Sequence, residues 1–194
     1  PFLESSQDGC RNTAAFQEGS SCSEQYEDKL LFRNHHGGNM EFSDRVKALA
    51  TRIQELREHA SVTEEATKNA LILPFLQALG YDTFDPRIVV PEYTADVGTK
   101  KGEKVDYAIK RDGEVIILIE AKCAGTCLDS GKADQLHRYF HNTPTARLAI
   151  LTDGVQYQFF SDLDKPNIMD DKPFMIFNFD KLEEALIPEL KKLA

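Results

Sequence analysis

The stretch EVIILIEAKCAG, residues 114–125, decides how the chain folds. Five apolar residues in a row, Val115 to Ile119, lie between Asp112-Gly113 and Gly125, and they predict a strand buried on both faces. Such a strand should end in a turn. This one runs instead into Glu120 and Lys122, opposite charges on either side of Ala121. Side chains alternate along a strand, so Glu120 and Lys122 share one face and Ala121 takes the other.

The segment before it, KVDYAIK (104–110), carries Asp106 and reads as the antiparallel partner. The turn between them decides which face Asp106 takes. A two-residue Asp112-Gly113 turn sets Asp106 opposite Ile119, on the face away from Glu120. A three-residue loop, Arg111-Asp112-Gly113, sets it opposite Leu118 and diagonal to Glu120. Only the second register gathers Val105, Tyr107 and Ile109 with Val115, Ile117 and Ile119 on one apolar face. Gly113 suits the left-handed bulge position of such a loop, which is therefore the expected one.

Outward from this pair the pattern continues. Phe42, Val46, Leu49, Ile53 and Leu56 have the spacing of an amphipathic helix. A second helix is expected from the Thr63 cap to about Leu79, stopped by Gly80 and kinked at Pro74. RIVV (87–90) precedes the two strands. A helix over 132–142 follows them, then ARLAILT (146–152) and VQYQFF (155–160), joined by a turn at Asp153-Gly154. FMIFNF (174–179) predicts a last strand and KLEEALIPELKKL a closing helix. The order predicts an α/β (α+β sandwich) domain, a mixed sheet with flanking helices, over residues 40–194. Residues 1–39 are polar, with few aliphatics before Leu30-Leu31, and read as an N-terminal extension, either a leader or an appended segment.

Bulk properties narrow the function. The chain has 194 residues, enough for one real core, and a net charge of −9, which argues against binding nucleic acid by sheer positive charge. No run approaches the roughly 18 to 20 apolar residues of a membrane span, and the N-terminus lacks the form of a secretory signal. A cytoplasmic location is the default expectation. Four cysteines, Cys10, Cys22, Cys123 and Cys127, are too sparse for a disulfide framework and their spacing is poor for zinc. His137 and His141 stand four apart, but no Glu follows the first as a metalloprotease requires. GTKKGEKV (98–105) and GTCLDSGKA (125–133) both depart from a phosphate loop, so no ATP site is expected.

In the expected register the Cβ atoms of Asp106 and Glu120 sit about 5 to 8 Å apart. Two carboxylates at that separation can converge on a hard divalent cation, and Lys122, one pleat on, can hold a water or a phosphate oxygen. On spacing alone the plainer reading, an exposed Glu–Lys pair at a strand end beside a stray Asp, has the edge, because charges at strand ends are common.

A resemblance shifts that balance. VDYAI with IILIEAK resembles the PD-(D/E)xK nuclease superfamily, whose core is αβββαβ. More narrowly, ATKNALILPFLQALGYD, GTKKGEKVDYAI, LIEAK, QLHRY and LAILTDGVQYQFF, in that order, are similar to the N-terminal nuclease domain of type I restriction enzyme R subunits. The similarity covers roughly residues 40–179. It implies a Mg²⁺-dependent DNA endonuclease, with Mn²⁺ able to substitute. Asp106 and Glu120 would be metal ligands and Lys122 the catalytic lysine. It also implies a helix carboxylate, where Glu64 matches best and Glu65 is the fallback.

The family's Q-x-x-x-Y motif corresponds to Gln135 and Tyr139, four apart and so on one helix face; Gln135 would orient water or phosphate and Tyr139 would bond the DNA backbone. Lys100, Lys101 and Lys104 form the basic loop beside the site, equally readable as a solvated turn or as a phosphate contact. The implied partners are DNA and restriction-modification subunits or a motor protein, since this chain carries no helicase motor. The rival reading is a non-catalytic module binding DNA or a partner on the same fold. Removing one of several crowded carboxylates, as in Asp106→Asn, is expected to leave the fold intact.

Overall fold

In the computed structural model, residues 40–95 and 104–194 are described. The readings of residues 1–39 and of Lys100 and Lys101 fall outside them. β2 (Val105–Arg111) and β3 (Glu114–Ala121) form the antiparallel pair expected from the sequence. β1 (Val89–Tyr93) pairs antiparallel with β2, and β4 (Leu148–Thr152) runs parallel to β3. β5 (Gln156–Phe160) and β6 (Met175–Asn178) complete a six-stranded mixed sheet in sequential order. The β3-to-β4 connection is a crossover through α4 (Asp134–His141), as a parallel pair requires. The αβββαβ order and the mixed sheet are those expected: an α+β, nuclease-like core.

Alternation along the strands builds two cores. Tyr107, Ile109, Ile117, Ile119, Ile150 and Phe159 pack with the first helices. Ala108, Leu118, Ala149, Leu151 and Phe160 pack with Leu136, Tyr139 and Phe140 of α4. Both faces of the central strands are therefore dry, which is why their sequences read as unbroken apolar runs.

The link between β2 and β3 differs from the expected one. Arg111 pairs with Glu114, so the loop is the two-residue Asp112-Gly113 turn, and both residues have positive φ, 53° and 84°. That is the requirement of a two-residue hairpin whose twist matches its strands. The extra residue lies inside β3. Ile109 pairs with Ile117 but Lys110 with Val115, which leaves Ile116 as a bulge. Tyr107 pairs with Ile119, and the ladder continued by one residue sets Asp106 opposite Glu120. The bulge thus supplies the phase change that a longer loop was expected to supply. It also turns Val115 to the α4 side, where Val105 lies as well.

The helices precede and close the sheet. α1 spans Phe42–Ala60 and buries Val46, Leu49 and Ile53. The second helix is in three parts: α2 (Glu64–Thr67), a π turn (Lys68–Ile72) and α3 (Leu73–Leu79). The Thr63 hydroxyl accepts from the Ala66 N–H, and Gly80, at φ 105°, ends the last turn. Pro74 has no N–H to give and its ring crowds the carbonyl four residues back, so the turn before it widens. Leu73 N–H accordingly donates five residues back, to the Lys68 carbonyl. The closing helix is shorter than expected: α5 is Ile187–Lys191, with Pro188 in its first turn. No helix among the described residues is long and apolar enough to cross a membrane.

Candidate active site

β2 and β3 deliver three charged side chains to one place. The Asp106 Oδ2 atom accepts the Ala121 N–H at 2.8 Å, which ties the carboxylate on β2 to the main chain between Glu120 and Lys122. Lys122 Nζ donates to Glu120 Oε1 at 2.6 Å. Glu120 is only 4% exposed, and its Oε2 atom is buried with no hydrogen-bond partner. Burial drives the Glu120 pKa up to about 7, against the pull of Lys122, and the charges of Asp106 and Glu64 push the same way as burial. Glu64, at the start of α2, is thus within electrostatic reach of Glu120, whereas Glu65 is exposed and pairs with Lys68.

The loop after Lys122 is pinned by residues that the sequence did not single out. Thr67 is fully buried; its hydroxyl donates to the Ala60 carbonyl at 2.8 Å and accepts the Ala124 N–H at 2.9 Å. Buried Asp153 accepts the Gly125 N–H through Oδ2, and the Val155 and Gln156 N–H groups through Oδ1. Lys122 N–H donates to the Thr152 carbonyl at 2.7 Å, and the Cys123 thiol donates to the Ser61 carbonyl. Cys123 and Cys127 are free thiols. Lys122 therefore leaves β3 on a backbone held by α2, by the β4–β5 turn and by the end of α1.

A further residue reaches the cluster unannounced. Lys68, the first residue of the π turn, is 8% exposed, and its Nζ bonds Asp106 Oδ1 at 3.0 Å and Glu65. Burial works against its charge, but the two carboxylate partners outweigh burial and hold its pKa above the ordinary lysine value. In the sequence the signal was faint: a Thr-Lys-Asn step just ahead of the apolar run of a helix.

The remaining predicted residues divide. Gln135 is half-buried, and its amide donates to the Lys104 carbonyl, two residues before Asp106. Lys104 is exposed, with its ammonium on Glu92 at 2.8 Å. Tyr139 is fully buried in the α4-side core, the place of a packing residue and out of reach of a DNA backbone in this conformation. A cavity of about 440 Å³ lies beyond the Ala124-Gly125 loop, lined by Arg57, Glu58, Asp153 and Asp180, and none of the predicted residues faces it.

Among the described residues, no three His, Cys, Asp or Glu side chains gather as a ready-made metal site. The donors present still suit a hard cation, because Mg²⁺ is commonly held by one or two carboxylates with water and phosphate filling its shell. Glu120 Oε2, a buried carboxylate oxygen without a donor, is the atom that such an ion would satisfy.

The fold is that of an α+β domain with a nuclease-like core. The sequence pattern of the type I restriction enzyme R protein N terminus matches residues 63–172, more than half of the chain, and the chain belongs to that family. The match opens at the cap of α2 and takes in every strand but β6. Comparison with curated proteins and with solved structures gave no match.

Proposed function

We propose that the domain is a Mg²⁺-dependent DNA endonuclease, accepting Mn²⁺ as well, that hydrolyses phosphodiester bonds. The observation that carries this reading is Asp106 set against Glu120 at the strand end, with Lys122 bonded to Glu120 and one Glu120 oxygen left without a donor. Asp106 and Glu120 would hold the ion, and Glu64 would reach it through its bound waters. When bound, the ion supplies polarisation of the phosphoryl oxygen and a more acidic water.

Every other task falls to the chain. Glu120 fixes the Lys122 ammonium, and that ammonium orients the attacking water beside the phosphate. The Thr67 and Asp153 bonds keep the loop that carries Lys122 from drifting. Gln135 steadies the start of β2 through the Lys104 carbonyl. DNA and other restriction-modification subunits are the partners that the family supports. A net charge of −9 favours delivery of the DNA by such a partner, with Lys100, Lys101 and Lys104 as the local phosphate contacts.

A second reading has its own support. Both carboxylates already carry an ammonium, Lys68 on Asp106 and Lys122 on Glu120, as in a self-neutralised module that only binds DNA or a partner. Plasmid nicking with Mg²⁺ or Mn²⁺, against a chelator control, separates the two. Lys122→Ala should cut nicking by about 10² to 10⁴-fold while calorimetric Mn²⁺ binding persists. Nicking by Lys122→Ala at the wild-type rate would refute the catalytic assignment, and a wild type that neither binds metal nor nicks would leave the binding module.

A further inference from the structure

Lys68 is the only lysine among the buried described residues, and the chemistry proposed above gives it no task. A lysine ordinarily lays its stem on apolar surface and keeps its ammonium in water. Here the ammonium is drawn onto Asp106 Oδ1 at 3.0 Å, while Oδ2 is taken by the Ala121 N–H. The two carboxylates therefore differ. Glu120 keeps one oxygen without a partner, whereas each Asp106 oxygen already accepts a hydrogen bond. A divalent cation arriving at Asp106 meets a positive charge already seated on this carboxylate, in a partly buried place where like charges repel strongly.

On its other side the ammonium meets a carboxylate that lies in solvent. Its second partner, Glu65, has a side chain 72% exposed, so an anion from solvent can replace it. The four-carbon stem lets the ammonium swing without moving the helix. The anion brought by the proposed reaction is the phosphodiester of the DNA.

We infer that Lys68 is a resident counter-cation that holds Asp106 Oδ1 until a DNA phosphate takes over its ammonium, so that metal and DNA bind this site jointly. The inference rests on the reading of Asp106 and Glu120 as metal ligands. Lys68 is then a positioning residue that acts through Asp106, and the coupling it creates is reciprocal: DNA tightens metal and metal tightens DNA.

The test is a Mn²⁺ titration by calorimetry on the full chain, with and without a short DNA duplex, for wild type, Lys68→Met and Lys68→Arg. In wild type the duplex should tighten Mn²⁺ binding about tenfold or more. Lys68→Met should bind Mn²⁺ about tenfold tighter than wild type without DNA, and the duplex should add little. Lys68→Arg, which keeps the cation, should behave as wild type. The wild-type arm needs no substitution, so a Lys68→Met chain that fails to fold still leaves the coupling measured. Equal metal affinity in wild type and Lys68→Met overturns the inference alone, as does a wild type indifferent to the duplex. Absence of Mn²⁺ binding in every arm overturns it together with the metal-site reading.

Discussion

Asp106 on β2 accepts its 2.8 Å hydrogen bond from the backbone of Ala121, the residue between Glu120 and Lys122. One carboxylate thereby sets the spacing of the whole cluster, and its other oxygen neutralises Lys68. Asp106→Asn should accordingly do more than remove the proposed metal ligand. The amide keeps an acceptor for Ala121 but leaves the buried Lys68 ammonium with only Glu65. Breaking a buried pair costs about 3 to 5 kcal/mol, and the surviving partner reduces this to about 2 kcal/mol. Urea denaturation in chelator should show that loss, contrary to the relief of crowding expected from the sequence, and calorimetry should show Mn²⁺ heats abolished.

Glu120 makes metal-free stability depend on pH. Its folded pKa of about 7 lies above its unfolded value, so the folded chain binds the proton more tightly. The stability linked to it is fully present below the unfolded value and is lost as pH rises through about 7. With chelator present, the melting temperature should fall between about pH 4.5 and 7 and then level, a change of at most about 3 kcal/mol. Glu120→Gln should remove that slope. An identical pH profile for the two proteins would mean that the carboxyl is not the desolvated group described above.

Gly154 closes the β4–β5 turn at φ 81°, and a Cβ there would lie 2.8 Å from Leu71 Cβ and 3.2 Å from Thr67 Cγ2. Gly154→Ala therefore combines left-handed strain with overpacking against the helix, for a loss of about 2 to 4 kcal/mol. Thermal melting should register it readily. A stability unchanged from wild type would show that the helix and the turn can part at little cost.

Thr67→Val keeps the shape of the side chain and removes its hydrogen bonds to Ala60, Thr63 and Ala124. The buried Ala60 carbonyl and the half-buried Ala124 N–H lose a partner, which costs about 1 to 3 kcal/mol. Thr67→Ser should recover most of that loss. If the loop positions Lys122 as argued, Thr67→Val should also lower nicking at temperatures where the protein remains folded.

Much of the fold was legible because local signals agreed. Thr63 and Gly80 mark the two ends of one helix with a cap and a left-handed stop, and Asp153-Gly154 marks a turn, all visible without tertiary context. The Ile116 bulge was not. Within Val-Ile-Ile-Leu-Ile every position is apolar, so an extra residue leaves no mark on the pattern, and the phase change points to the loop instead. Lys68 escaped for a related reason: a lysine on a helix reads as solvated until its neighbour across space, Asp106, is known. Tyr139 shares its helix face with Gln135 by spacing, yet spacing cannot say how far inward that face turns, and the ring lies in the core beside Leu136 and Phe140.

A π turn is an α-helix carrying one residue too many, and the one at Lys68–Ile72 divides the second helix into unequal dependants. Leu71, Ile72, Phe75 and Leu76 belong to the large core, whereas Glu64 and Lys68 face the charged end of the sheet. Deleting a single residue from the turn would rotate everything ahead of it by about 100° relative to the buried half. Such a shortened chain would take Lys68 from Asp106 and Thr67 from the Ala60 carbonyl and the Ala124 N–H. The surplus residue is thus a spacer: the length of this helix, counted to the residue, sets where Lys68 meets Asp106 and where Thr67 meets the loop after Lys122.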